Sequence, residues 1–138
     1  MTEKDKMLTR KLYDSSAKDL FCLQIKAHDI CRKYNLFSET DPNQQILLEE
    51  LISNAKNSVY LQWLIQFDYG CFTKIGDKCW LVGNVTIYGG VKIGSRCVIG
   101  ARSVVSPDIP ENSVAVVVPC EVLRQITEQD SLKFEWFE

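Results

Sequence analysis

The sequence has very little imidazole: His28 is its one histidine, and none of its six cysteines forms a Cys-x-x-Cys pair. A carbonic-anhydrase chemistry needs three histidine zinc ligands and is excluded by that count, and an all-thiolate zinc cluster without paired cysteines is not expected either. No stretch of about 18 apolar residues occurs, so no membrane-spanning helix is expected. An excess of either charge is also missing. Lys plus Arg number 16 and Asp plus Glu 18, a net charge of -2, which gives no electrostatic case for binding nucleic acid or a membrane surface. The first residues, Met1 to Lys6, are charged and lead into no apolar export segment, so the expectation is a cytoplasmic protein whose thiols stay reduced. What is present is ordinary for a folding chain: 138 residues, 46% hydrophobic and 25% charged, the size of one compact unit with a real core.

The first 56 or so residues read as helices. Thr2 followed by Asp5 predicts a short helix, Ser16 with Asp19 predicts a capping box for a second, and Asp41-Pro42 predicts a third. The second helix carries an apolar stripe of Leu20, Leu23, Ala27, Ile30, Cys31 and Tyr34, and the third buries Leu47, Leu48, Leu51 and Ile52.

From residue 69 the period becomes six. Tyr69, Ile75, Leu81, Ile87, Ile93, Ile99 and Val105 form an unbroken apolar series, and Thr73, Cys79, Val85, Val91, Cys97 and Ser103 form a parallel series of small or β-branched residues. Such a beat fits a left-handed parallel β-helix, in which three hexapeptides make one triangular coil of about 18 residues. Residues 18 apart should then stack: Ile75 on Ile93, Leu81 on Ile99, Ile87 on Val105, and Cys79 on Cys97. Gly70, Gly76, Gly94 and Gly100 are assigned to corners that need unusual backbone conformations. The repeat from 69 to about 106 covers only about two coils, fewer than the roughly three units that stacking arrays need. The segment Val59 to Phe67 is therefore expected to cover a coil end, and association between copies to bury the faces. The fold class is mainly β with an α-helical N-terminal cap: cap 1–56, shortened left-handed β-helix 57–119, and a C-terminal tail 120–138 gripping the solenoid through Phe134, Trp136 and Phe137.

Several segments carry a family resemblance: Lys11-Leu12-Tyr13-Asp14-Ser15, Cys31-Arg32-Lys33-Tyr34-Asn35, Asp68-Tyr69-Gly70, Ile75-Gly76-Asp77, Ile99-Gly100-Ala101, Val104-Val105, Asp108-Ile109-Pro110 and Pro119-Cys120. In order and almost end to end, the chain resembles the maltose and galactoside O-acetyltransferases, hexapeptide-repeat enzymes. The resemblance implies a homotrimer that moves an acetyl group from acetyl-CoA to a sugar hydroxyl in a cleft between subunits. It also exposes an internal deletion: Ile75-Gly76-Asp77 runs straight into Lys78-Cys79-Trp80-Leu81, in the six-residue register, where relatives insert further coils and a loop. That segment carries the family's general-base histidine. No catalytic residue is therefore assigned, and His28 reads as a solvated helix residue.

By the same resemblance, Trp80 lies beside the thioester arm of acetyl-CoA, Ala101 meets the pantetheine through its backbone, Ser106 offers a hydroxyl and Arg124 faces the nucleotide phosphates. Asp14 or Ser15 and Asp68 would hold acceptor hydroxyls. Two departures weaken an anion site, Ser106-Pro107 in place of a Thr-Lys pair and Glu121 in place of an arginine, with Arg102 able to restore one charge; Val117-Val118-Pro119 replaces a more flexible turn near the cofactor, and on the sugar side Gln24 stands where the resemblance implies an arginine in helix two. Two functions remain open: an acetyl-CoA-dependent sugar O-acetyltransferase with reduced or absent turnover, or a catalytically silent structural or assembly subunit, or internally deleted remnant, of such an enzyme.

Overall fold

The computed structural model of the chain describes residues 1–38, 40–52, 59–62, 64–69, 73–127 and 130. Three helices come first: α1 (Glu3–Leu8), α2 (Lys18–Leu36) and α3 (Pro42–Leu51). Thr2 and Asp5 make the reciprocal capping box expected for α1, and Asp41 accepts the Asn43 N–H ahead of Pro42 at α3. Ser16 does not cap α2. Its N–H and hydroxyl both donate to Asp14 Oδ1 (2.9 and 2.6 Å), an Asx turn that competes with the capping box, so the helix starts after Ala17 with no side-chain cap.

Among the described residues ten strands follow: β1 (Val59–Leu61), β2 (Ile65–Phe67), β3 (Lys74–Ile75), β4 (Cys79–Leu81), β5 (Val85–Ile87), β6 (Lys92–Ile93), β7 (Val98–Ile99), β8 (Val104–Val105), β9 (Ser113–Val116) and β10 (Glu121–Gln125). They form the three faces of a triangular coil. Face one runs β1-β4-β7-β9-β10, face two β2-β5-β8 and face three β3-β6, all parallel except β10, which turns back antiparallel on β9. Three buried ladders fill the interior: Leu61-Leu81-Ile99-Ala115, Phe67-Ile87-Val105 and Ile75-Ile93-Ile109. The expected stacks of Ile75 on Ile93, Leu81 on Ile99 and Ile87 on Val105 are present. Cys79 and Cys97 repeat one geometry a coil apart, donating to the Gly94 and Pro110 carbonyls, each at 3.1 Å.

Three expectations need correction. The solenoid is longer than the period suggests, because Val59 to Phe67 forms β1 and β2 of a first coil rather than a cover, giving three coils and the start of a fourth. Tyr69 leaves the ladder: Phe67, not Tyr69, stacks on Ile87, since β1 and β2 pair 20 residues downstream and two extra residues fall in the corner before β3. Tyr69 instead turns to the cap, buried with Met7 and Leu20, its ring edge-on to Tyr13 with centroids 6.5 Å apart. Finally, the glycines serve close approach rather than backbone conformation. Left-handed φ values fall at Lys78, Arg96 and Asn112 on one corner and at Asn84, Arg102 and Val117 on another, with Gly90 the one glycine among those described. A Cβ on Gly94 would lie 2.4 Å from the Glu111 nitrogen, and one on Gly76 2.5 Å from the Ser95 nitrogen. Gly70, Phe134, Trp136 and Phe137 lie outside the described residues; of the tail, Glu121–Gln125 extends face one as β10.

Helix α2 closes the open end of the coil. A first strand leaves backbone groups unpaired, and three α2 side chains answer them: Asn35 both donates to the Ile65 carbonyl (3.0 Å) and accepts its N–H (2.9 Å), Cys31 Sγ accepts the Phe67 N–H (3.3 Å), and the Tyr34 hydroxyl donates to the Leu61 carbonyl (3.0 Å). The apolar stripe of α2, with Leu48, Leu51 and Ile52, merges into the same core.

Candidate functional site

This docking fixes α2 against face two and opens a cleft of about 340 Å³ beside it. The floor is the outward side of β2 and β5, where Gln66 and Thr86 stand in register, and Leu64 and Asn84 close one end. The helix supplies His28, Arg32 and Asn35 as the opposite wall. At helical spacing of four, Gln24, His28 and Arg32 share one side of α2. The first two converge on a single atom. Gln24 Nε2 donates to Asp68 Oδ1 at 2.7 Å, and His28 Nε2 lies 3.3 Å from the same oxygen. Asp68 follows β2 directly, and its carboxylate is held by two side chains 44 and 40 residues away in sequence, one of which, His28, lines the cleft. Arg32 is paired with Asp29 on its own helix.

The other expected site residues fall around this cleft in two groups. Ser106 stands on the corner column of Asp68: the Asp68 N–H donates to the Ile87 carbonyl, and one coil on the Tyr88 N–H donates to Val105, the residue before Ser106. Ala101 lies on the opposite corner of face two, exposed beside Arg102, whose N–H donates to Gly83 next to the cleft's Asn84. Trp80 and Arg124 belong instead to face one. The register there sets Tyr60, Trp80, Val98, Val114 and Arg124 in one outward row, with Trp80 and Arg124 three strand spacings apart, about 14 Å. Asp14 and Ser15 are exposed in the turn before α2. The Asp14 carboxyl is held below its ordinary range by the Ser16 hydroxyl and N–H, while its backbone N–H donates to Glu3.

Acetyl-CoA, as a substrate, fits this surface in one half only. The exposed Ala101 turn leaves its backbone available to a pantetheine arm, while Trp80 is half-buried with its indole nitrogen inside and offers only part of its ring. The phosphate half does not fit as expected. Both terminal nitrogens of Arg124 donate to Asp130, each at 2.8 Å, and this pairing raises the guanidinium above its ordinary pKa. The fork that would grip a phosphate already holds a carboxylate.

Sequence reasoning passed over Gln24 and His28 as functional residues. The available signal was the four-residue spacing of Gln24, His28 and Arg32, a polar stripe beside the buried one; what it lacked was the partner, since nothing local ties residue 68 to α2.

Comparison with known proteins agrees with this architecture. Residues 72–107 match the bacterial transferase hexapeptide model and residues 6–55 the maltose acetyltransferase hexapeptide capping motif. In both segments the chain is similar to the hexapeptide-repeat acetyltransferases. It is similar to galactoside O-acetyltransferase of Escherichia coli, 50% identical over 56 residues, 41% of this chain and 28% of that one. A Staphylococcus aureus protein named as an acetyltransferase, SAR2635, is 29% identical over 184 residues, covering 91% of this chain and 92% of its own. A maltose O-acetyltransferase structure from Clostridium difficile 630 superposes with a TM-score of 0.58 at 26% identity, covering 93% of this chain and 99% of that one. With a yeast relative, Saccharomyces cerevisiae YJL218W, the match is confined to 64 residues at 53% identity, and the chain spans 33% of that protein's length. In this hexapeptide-repeat fold the coil is the left-handed β-helix that the six-residue period predicts. Among the described residues no helix is long and apolar enough to cross a membrane.

Proposed function

We propose that the chain is an acetyl-CoA-dependent O-acetyltransferase acting on a sugar hydroxyl, of the maltose or galactoside type, with turnover reduced by an internal deletion. The observation that carries this reading is the cleft on face two: Gln24 and His28 hold Asp68 at one corner of that face, and Ala101 is exposed at the opposite corner. A carboxylate fixed by helix side chains is a ready acceptor for sugar hydroxyls. Trp80 and Ala101 would hold the thioester arm on face one and its corner, so transfer would occur around that corner, with Asp14 or Ser15 completing the acceptor side.

The deletion is supported by alignment length. The 184 positions aligned with the Staphylococcus aureus relative exceed the 138 residues of this chain by 46, so at least that many positions there face nothing here. The reading places the family's base histidine in that segment, and loss of a general base costs about a hundredfold to ten-thousandfold in rate. The assembly we infer is a homotrimer, favoured by the half-exposed apolar row Tyr60, Trp80, Val98 and Val114 and by the exposed Val122 and Leu123 of β10. The free thiols among the described cysteines suit a reducing cytoplasm.

The Arg124–Asp130 pair favours the second reading, a silent structural or assembly subunit, because it occupies a phosphate-binding group. Thiol release from acetyl-CoA with maltose or methyl galactoside decides between them. Saturable release at a rate well below that of a full-length relative supports the enzyme; release no faster than buffer leaves the subunit.

A further inference from the structure

We propose that His28, positioned by Asp68, takes the acceptor hydroxyl's proton in this chain, so that whatever turnover it has passes through a base on α2. This rests on the acetyltransferase reading above. His28 lines the cleft floored by Gln66 and Thr86, and its side chain is 37% exposed, so the ring is reachable from the cleft yet held. Asp68 Oδ1 is the atom that holds it, and the Gln24 amide fixes that carboxylate in turn. When Nε2–H donates to Asp68, the lone pair of the neutral ring stays on Nδ1, which has no hydrogen-bond partner among the described residues. That arrangement, a carboxylate fixing the tautomer of an imidazole in a polar cleft, is what a general base requires. The other charged group on this wall, Arg32, is paired with Asp29, and the strand residues facing the ring, Gln66, Asn84 and Thr86, are neutral.

The step balances without further reactants. The hydroxyl proton passes to Nδ1 as the hydroxyl oxygen bonds to the thioester carbonyl carbon. The C–S bond then breaks, and the proton is returned to the departing thiolate, giving the acetyl ester and the free thiol of CoA. His28 is the catalytic group here and Asp68 a positioning residue.

The experiment measures thiol release from acetyl-CoA with maltose or methyl galactoside for the full chain and for His28→Gln, Asp68→Asn and the double variant, with acetyl-CoA binding followed by calorimetry. His28→Gln retains a side-chain donor toward Asp68 but no base. The expected result is a loss of kcat of about a hundredfold or more in His28→Gln, disappearance of the acid limb of its pH profile, and unchanged acetyl-CoA affinity. Asp68→Asn should also lower kcat, and the double variant should be no slower than His28→Gln alone, because a positioning residue has nothing to act through once the ring is gone. His28→Gln turnover within threefold of the parent, or additive losses in the double variant, overturns the proposal. So does a parent chain that binds acetyl-CoA yet releases no thiol above background. A parent chain that does not bind acetyl-CoA overturns the acetyltransferase reading itself, and the proposal with it.

Discussion

Replacing Gly94 by alanine tests the coil stacking on which every site residue depends. The added Cβ would lie 2.4 Å from the Glu111 nitrogen and 2.7 Å from its Cα, whereas ordinary contacts begin near 3.4 Å, so the second and third coils must part locally by about 1 Å. Two hydrogen bonds cross that gap: Gly94 N–H to Ile109 at 2.8 Å and Asn112 N–H to Ser95 at 2.9 Å. Stretching both past useful length costs about 1 kcal/mol each, and the residual overpacking adds at least about 1 kcal/mol. The total is about 3 kcal/mol, a fall in melting temperature of about 10 °C for a chain of this size. Gly90 supplies the control. Its φ of +77° disfavours a side chain, but a Cβ there meets nothing closer than Leu8 Cδ2 at 3.5 Å. Only the left-handed penalty of about 1 kcal/mol applies, so Gly90→Ala should lower the melting temperature by about 4 °C. Thermal unfolding followed by circular dichroism measures both. Equal shifts, or a larger one for Gly90→Ala, would show that the coils do not approach as described.

Other expectations concern strain, charge and acid. Val117 holds φ +74° and is 54% exposed, so Val117→Gly should relieve more strain than it adds in chain entropy and raise stability by up to about 1 kcal/mol, read from the same melts. Asp130→Ala releases the Arg124 fork and should tighten acetyl-CoA binding while making it more sensitive to salt; unchanged calorimetric affinity would remove Arg124 from the ligand site. Glu3, held low chiefly by the Asp14 N–H, and Asp5, held low chiefly by the Thr2 N–H, anchor the start of the chain. Depressed carboxyl pKa values stabilise above the ordinary values of 4.5 and 3.8 and cease to do so as pH falls through the folded ones. Hydrogen exchange should therefore show α1 loosening below about pH 4 ahead of the coil ladders, and uniform protection down to pH 3 would contradict this.

The coil was legible because its interior ladders obey a strict count: Ile75, Leu81 and Ile87 sit below Ile93, Ile99 and Val105 as six-residue spacing requires. The count failed where the backbone, not the side-chain pattern, set the register. Two residues added in one corner moved Phe67 into the ladder and released Tyr69 to the cap; the six-residue count favours Tyr69, and because both are aromatic the residue type offers nothing to override it. Glycine spacing was readable, but its cause was not: whether a position needs left-handed φ or close approach depends on which coil lies above it. The site was legible in part. Asp68 was marked by resemblance, while its grip by Gln24 and His28 arises only when α2 satisfies the free edge of β2, a contact spanning some 40 residues. Arg124 illustrates the converse: its residue type suits a phosphate, and its neighbour in space, Asp130, is what alters that role.

Everything proposed for the cleft requires that this hexapeptide solenoid hold acetyl-CoA. Calorimetric titration of the full chain with acetyl-CoA tests it most directly. Saturable binding of one acetyl-CoA per chain is expected, diminished by Trp80→Ala; no heat at millimolar acetyl-CoA from a chain that circular dichroism shows to be folded would refute it.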